Sequence, residues 1–219
     1  MRLPIATCLL LVLPAPQVAA EVVPVRTEAP AGDYRLDPDQ ATIMAGLSHL
    51  GLTTAWVAFT RADAALRFDP TDPESMEITV KIDPASVTPV AGNSADGREQ
   101  RLRGTDFLDA AGYPEIAFRS QTVRLVAPDR AAVTGDLTLH GIRRRITLSV
   151  TFNGGYPARP DDPGGARLGF SATGTIFRSD FGIATALPLT DEPGLGDEVA
   201  IRIEAEFINP GASGPQLGP

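Results

Sequence analysis

A chain of 219 residues with one cysteine has the length of a single domain, able to bury a core large enough to do without covalent staples. Its 19 basic residues against 27 acidic ones leave a formal net charge of −8, which repels phosphate backbones and anionic lipid headgroups. No nucleic-acid partner and no stable membrane insertion are therefore expected.

The chain opens on Met1-Arg2, continues through Leu3, Ile5 and Leu9 to Leu13, and reaches the small residues Val18-Ala19-Ala20. A basic start, a short apolar run and small residues before Glu21 predict a secretory signal peptide over residues 1–20, and so a periplasmic protein. Cleavage after Ala20 would remove Cys8 and leave no disulfide chemistry. Residues 21–33, rich in Pro and Ala, and 210–219, rich in Gly, Pro and Ser, read as flexible ends around a barrel domain spanning 34–209.

Within that domain the apolar residues recur with period two. Successive candidates are Thr42–Leu47, Thr54–Phe59, Ala62–Phe68, Met76–Ile82, Ile116–Val126, Ala132–Leu139, Ile146–Phe152, Leu168–Ile176 and Val199–Phe207. The last shows the pattern best: Val199, Ile201, Ile203, Ala205 and Phe207 alternate with Ala200, Arg202, Glu204 and Glu206, which is a strand with one face in the core. Only Ser94–Arg103 suggests a helix, with few apolar positions. Without helical crossovers a parallel sheet is not expected, and eight or nine strands with one apolar face must pair as two sheets or close on themselves. The expected fold is all-β, an antiparallel closed barrel of about eight strands with one short helix, wide enough inside for a small ligand.

Seven fragments in this order resemble the YceI-like family of bacterial secreted proteins. They are Tyr34-Arg35-Leu36-Asp37; Ser48-His49-Leu50-Gly51; Arg98 to Leu102 with Gly104 to Asp109; Tyr113 to Ser120; Gly135 to Gly141; Arg178 to Gly182; and Gly196-Asp197-Glu198-Val199. The resemblance covers nearly all of Tyr34–Phe207. It implies a lipocalin-like periplasmic barrel with a hydrophobic tunnel for an isoprenoid chain or similar long amphiphile, acting as a binding protein. Where the family commonly has Arg-Asp-x-His-Leu, this chain reads Arg98-Glu99-Gln100-Arg101-Leu102, so no role of that histidine carries over.

The aromatic residues Trp56, Phe59, Phe107, Phe118, Phe170, Phe177 and Phe181 either line such a tunnel or fill a solid core, and the resemblance favours the tunnel for some of them. Leu50 and Leu102 join them as candidate ligand contacts. Small residues at Gly46, Ala55, Ala58, Ala172 and Gly174 would leave room inside. His49 is expected at the barrel mouth, packed there or touching a ligand headgroup, and His140 as a structural surface residue at a turn. The two histidines share no metal-ligand spacing, so neither a metal nor a cofactor is expected. Arg143-Arg144-Arg145 reads as a solvated strand start. Between Arg98 and Asp109 an arginine either meets a phosphate or carboxylate headgroup or, in the preferred account, makes an internal ion pair, such as Arg103 with Asp106 or Arg101 with a carboxylate elsewhere. Asp191-Glu192 with Asp197-Glu198 reads as a polar hairpin or loop. With no mature cysteine, nucleophile elbow or phosphate loop, catalytic residues are expected to be none and the protein no enzyme. The leading function is carriage of a polyisoprenoid, isoprenoid quinone or fatty-acyl compound. The alternative is an envelope stress or protein-interaction module with the barrel as scaffold, and a homodimer is compatible with either.

Overall fold

A computed structural model describes residues 22–90, 97–160, 162, 164–188 and 194–212. The expected signal peptide, the loop around Asp191 and the tail beyond 212 lie outside the described residues. Ten strands carry the fold: β1 (Gly32–His49), β2 (Thr53–Phe59), β3 (Ala62–Phe68), β4 (Glu77–Ile82), β5 (Val87–Pro89), β6 (Ile116–Ala127), β7 (Arg130–Leu139), β8 (Ile142–Tyr156), β9 (Ala166–Phe177) and β10 (Leu195–Asn209). One helix, α1, spans Arg98–Arg103, and residues 94–96 of the expected helix lie outside the described residues.

The ten strands make eight staves. β1 pairs with β3 through Gly32–Arg35 and with β2 through Ile43–His49, so β2 and β3 are one long strand interrupted at Thr60-Arg61. β4 and β5 are likewise one strand broken by the 3-10 turn Pro84–Ser86. The turn is capped by Asp83, whose carboxylate accepts from Ala85 N–H at 2.7 Å. Pro84 therefore starts a turn, and the three residues of β5 form a strand too short for the period-two pattern to reveal. The antiparallel order continues through β6, β7, β8 and β9 to β10, and β10 pairs back onto β1 from Arg35↔Ile208 to His49↔Leu195, which closes the cylinder. Closure removes the sheet edges that an open arrangement would expose.

A bulge in β1 sets which residues face inward. Leu36 lies opposite Phe207 but Ala41 lies opposite Ala205, so β1 carries extra residues between them. Before the bulge the even positions Tyr34 and Leu36 are buried; after it the odd position Ile43 is buried, and Ala45 and Leu47 pack on the core. Because side chains alternate along a strand, such a shift exchanges the two faces.

The core has two parts. At one end Tyr34, Leu66, Phe68, Leu168 and Phe207 pack with Ala29, and at the other Phe118, Leu137, Leu148, Ile176 and Phe181 pack with Ile183. The second end is plugged. Phe181, 1% exposed, sits in the 3-10 turn Arg178–Phe181, and Phe107 and Leu108 from the loop after α1 pack on the same cluster. Arg178, 3% exposed, holds that plug, donating to the carbonyls of Ile183, Thr185, Leu195 and Gly196 at 2.7–3.0 Å. Burial lowers its pKa, and the four carbonyls satisfy its donors. Asp197 accepts from Ser179 N–H and Oγ, so the Arg178 to Gly182 and Gly196 to Val199 fragments are two halves of one structural clasp. His140, at φ 51°, lies half-buried with its ring 4.5 Å from that of Tyr113 and Nδ1 3.2 Å from the Phe181 carbonyl, a structural position at a turn. Arg103 pairs with Glu99 at 3.3 Å and donates to the Val87 carbonyl, in place of the expected pairing with Asp106. One helical turn separates Glu99 from Arg103, which brings these side chains together. All three residues of Arg143-Arg144-Arg145 are exposed at the start of β8, as a solvated strand start requires.

Candidate functional site

At the unplugged end the inner wall is aromatic. Tyr34, Phe68, Phe152, Phe170 and Phe207 form a chain of rings with successive centroids 5.2–6.0 Å apart. Each comes from an inward position of a different strand, so the chain crosses the barrel instead of running along one strand. Beside it lies an apolar cavity of about 90 Å³, walled by Leu66, Ile78, Val123, Val150, Phe152 and Phe170. Inward-pointing Val80, Val150, Ile201 and Ile203 pack on the core clusters but are only half-buried, and Val150 borders the cavity.

The rim of the cavity is built from turns. Pro70 and Pro73 come from the loop ahead of β4, Pro128 and Asp129 from the β6–β7 hairpin, and Pro24, Val25 and Thr27 from the segment preceding β1. Along this side the backbone ladder between β4 and β6 ends at Thr79↔Arg119. Side chains take over beyond it: Ile78 N–H donates to Ser120 Oγ at 2.9 Å, and Leu125 N–H to Glu74 Oε1 at 3.0 Å. A seam held by side chains opens at lower cost than a continuous ladder, and it borders the cavity.

A larger concavity adjoins the same seam, a groove of about 800 Å³ across β4, β6 and β7 that shares Met76 and Glu77 with the cavity. Its charges answer one another: Arg67 pairs with Glu77, Lys81 with Glu115 and Asp136 with Arg145. Exposed pairs in water contribute little binding energy, and although Met76, Val80, Ala117 and Phe118 also line the groove, polar and charged side chains make up most of its wall, so the smaller and more apolar cavity is the better candidate site.

The residues expected to contact a ligand separate into three groups. Phe170 lines the cavity. Phe59, Phe107, Phe118 and Phe181 pack together at the plugged end, where Phe181 is wholly enclosed by protein, and Leu102 is half-buried on α1. Trp56 and Phe177 do not face the interior. Trp56 pairs with outward Gly46, its ring lies where a Cβ on Gly46 would be, and the Arg202 guanidinium sits 4.8 Å from its centroid. Phe177 is 49% exposed, one position past buried Ile176. His49 and Leu50 form the β1–β2 hairpin turn, exposed to water at the end opposite the cavity, where Leu52 N–H donates to the His49 carbonyl. The mouth expected there is closed from within by the Phe107 and Phe181 plug.

Of the small residues, Gly46 and Ala58 pair with outward positions, and the room beside Gly174 is taken by the Leu148 side chain. Ala172 remains on the inner face. The aromatic residues missed by sequence reasoning are Tyr34, Phe68, Phe152 and Phe207. Phe152 and Phe207 were each visible as inward members of their own period-two pattern.

Two acid–base features flank the site. Tyr34 donates to the Pro30 carbonyl at 2.8 Å, and burial pushes its pKa up to about 12. On the outer side Arg167 binds Asp162 at 2.5 Å, Asp37 at 2.7 Å and Glu206 at 3.2 Å, joining β9, β1 and β10. The Arg167 hydrogen bond holds the Asp162 carboxyl below its usual range. Among the described residues no three metal-ligating side chains converge.

A family model for the YceI-like domain matches residues 34–207. Among curated relatives, the UPF0312 protein of Pseudomonas syringae pv. syringae is 39% identical over 159 residues, 71% of this chain and 79% of its own length. A UPF0312 protein of Pseudomonas putida is 38% identical over the same span. Among solved structures, BcnA of Burkholderia cenocepacia superposes with a TM-score of 0.65 at 26% identity, covering 78% of this chain and 98% of BcnA. A Campylobacter jejuni YCEI protein gives 0.59 at 28% identity, with 73% and 87% covered. A polyisoprenoid binding domain from Saccharophagus degradans gives 0.61 at 17% identity, with 81% and 98% covered, a likeness of fold.

Proposed function

The chain belongs to the YceI-like family, and from that premise we propose that it binds the apolar tail of a long amphiphile inside its barrel, as a periplasmic carrier. A polyisoprenoid, an isoprenoid quinone or a fatty-acyl compound fits this description. The observation that carries the reading is the apolar cavity at one end of a barrel whose other end is plugged, beside inner-wall residues that remain half-buried. A likeness in fold to a polyisoprenoid binding domain supports the same class of ligand.

Size sets the terms of binding. About 90 Å³ is the share of roughly three water molecules, and smaller than the cavity of about 150 Å³ that admits benzene in a well-packed protein. A tail therefore goes in by displacing what stands at the rim. Removing roughly 300 Å² of tail from water contributes about 7.5 kcal/mol before the cost of immobilising it, so long tails bind and short ones do not.

Lipid extracted from the natively purified protein and identified by mass spectrometry tests this reading. In parallel, N-phenyl-1-naphthylamine should fluoresce on binding and be displaced by farnesol. Ala131→Phe, which puts a ring on a cavity-lining position, should lower probe affinity at least tenfold while leaving the circular dichroism unchanged. Equal affinity in the variant would place the ligand elsewhere.

A further inference from the structure

We infer that residues 22–30 are an intramolecular cap, occupying the mouth of the cavity in competition with the ligand. The inference rests on the proposed ligand binding and adds its regulation. Pro24, Val25 and Thr27 line the cavity alongside barrel residues, so part of the wall that a tail would meet is supplied by a segment outside the barrel. That segment has no regular secondary structure and precedes residue 34, where the family match begins.

Its attachment is asymmetric. Toward β1 it is anchored: Ala29 is 2% exposed within the core cluster, and Tyr34 Oη holds the Pro30 carbonyl. Over the cavity two hydrogen bonds hold it to the barrel, Val25 N–H to the Pro128 carbonyl at 2.8 Å and Thr27 Oγ1 to the Gly155 carbonyl at 3.1 Å. Val23 is 72% and Val25 43% exposed, so the barrel covers these apolar side chains only in part. Such a strap swings about Ala29-Pro30 without disturbing the staves.

The cap also accounts for the small cavity. With the strap in place the space is too small for a long tail, and lifting residues 24–27 takes one wall away. Two net hydrogen bonds favour the closed form by roughly tenfold to a hundredfold. Apparent ligand affinity falls by the fraction of molecules that are open, so loosening the strap raises affinity by the same factor.

The test uses the full chain and N-phenyl-1-naphthylamine with farnesol as competitor. Val25→Pro removes the N–H donor and Thr27→Val the hydroxyl. The double variant should bind the probe about tenfold more tightly and exchange it faster. In a second protein, Val25→Cys and Pro128→Cys place a disulfide across the strap, because a 2.8 Å N–H to carbonyl contact brings the two backbones within bridging range. Its oxidised form should take up probe at least tenfold more slowly than the same sample after reduction. Unchanged binding in the double variant, or equal uptake by oxidised and reduced forms with the disulfide verified by mass, overturns the cap while the ligand reading stands. Failure of every form to bind probe or farnesol overturns the ligand reading itself.

Discussion

Arg178→Met tests the clasp that plugs the barrel. The guanidinium makes four hydrogen bonds to the carbonyls of Ile183, Thr185, Leu195 and Gly196, at 2.7–3.0 Å and with 3% of the residue exposed. Methionine keeps most of the stem but donates nothing. Charge-assisted bonds contribute about 1.5 kcal/mol each, roughly 6 kcal/mol for four, and relief from burying the guanidinium offsets roughly half. The expected loss is about 3 kcal/mol, a fall of about 9 °C in Tm for a domain of this size. Urea unfolding followed by far-ultraviolet circular dichroism measures it directly, with the midpoint falling and the slope unchanged. Arg178→Lys should recover only part of the loss, since an ammonium lacks the planar fork that reaches all four acceptors. A loss under about 1 kcal/mol for Arg178→Met would refute the claim that these bonds hold the plug.

Other parts of the barrel give three further expected outcomes. Gly46→Val puts a side chain where the Trp56 ring lies, 2.6 Å from the nearest ring atom; it should cost about 1–3 kcal/mol and shift the emission of Trp56, the chain's single tryptophan. Tyr34 has a raised pKa, so its stabilising contribution is complete below the ordinary tyrosine value and is lost as pH rises toward about 12. Tyrosinate absorbance during alkaline titration should show a step near pH 12 that Tyr34→Phe removes. Asp83 is held below its ordinary pKa, first by the Arg61 side-chain hydrogen bond, so its contribution is present above the usual carboxylate range and disappears as pH falls through its folded value. Carbon-detected NMR titration should find Asp83 ionised below the usual range, and Arg61→Ala should return it there.

Period two carried most of the fold. The strands expected at Ala62–Phe68, Ile116–Val126 and Val199–Phe207 match β3, β6 and β10 to within a few residues at their ends. Alternation also held unused information about the site. Trp56 and Phe59 stand three apart on one strand and Phe170 and Phe177 seven apart on another, so neither pair can share a face. Reading parity within each strand would have kept Phe59 and Phe170 inside and moved Trp56 and Phe177 out. The bulge between Leu36 and Ala41 was beyond such reading, because it depends on the opposing strand β10. His49 illustrates a different loss: its place at a barrel end was legible, but which end was open depended on Phe107 and Phe181 reaching across from distant segments.

The order of apolar and polar residues by itself determined antiparallel strands with one buried face, which bury it by pairing as two sheets or by closing on themselves, and the pairing of β10 with β1 decided for closure. The motif fragments added the family. Only the tertiary structure decided where the hollow lies, how little of it is free, and that residues 22–30 stand in its mouth. Those properties come from contacts between side chains far apart in sequence, and no local pattern encodes them.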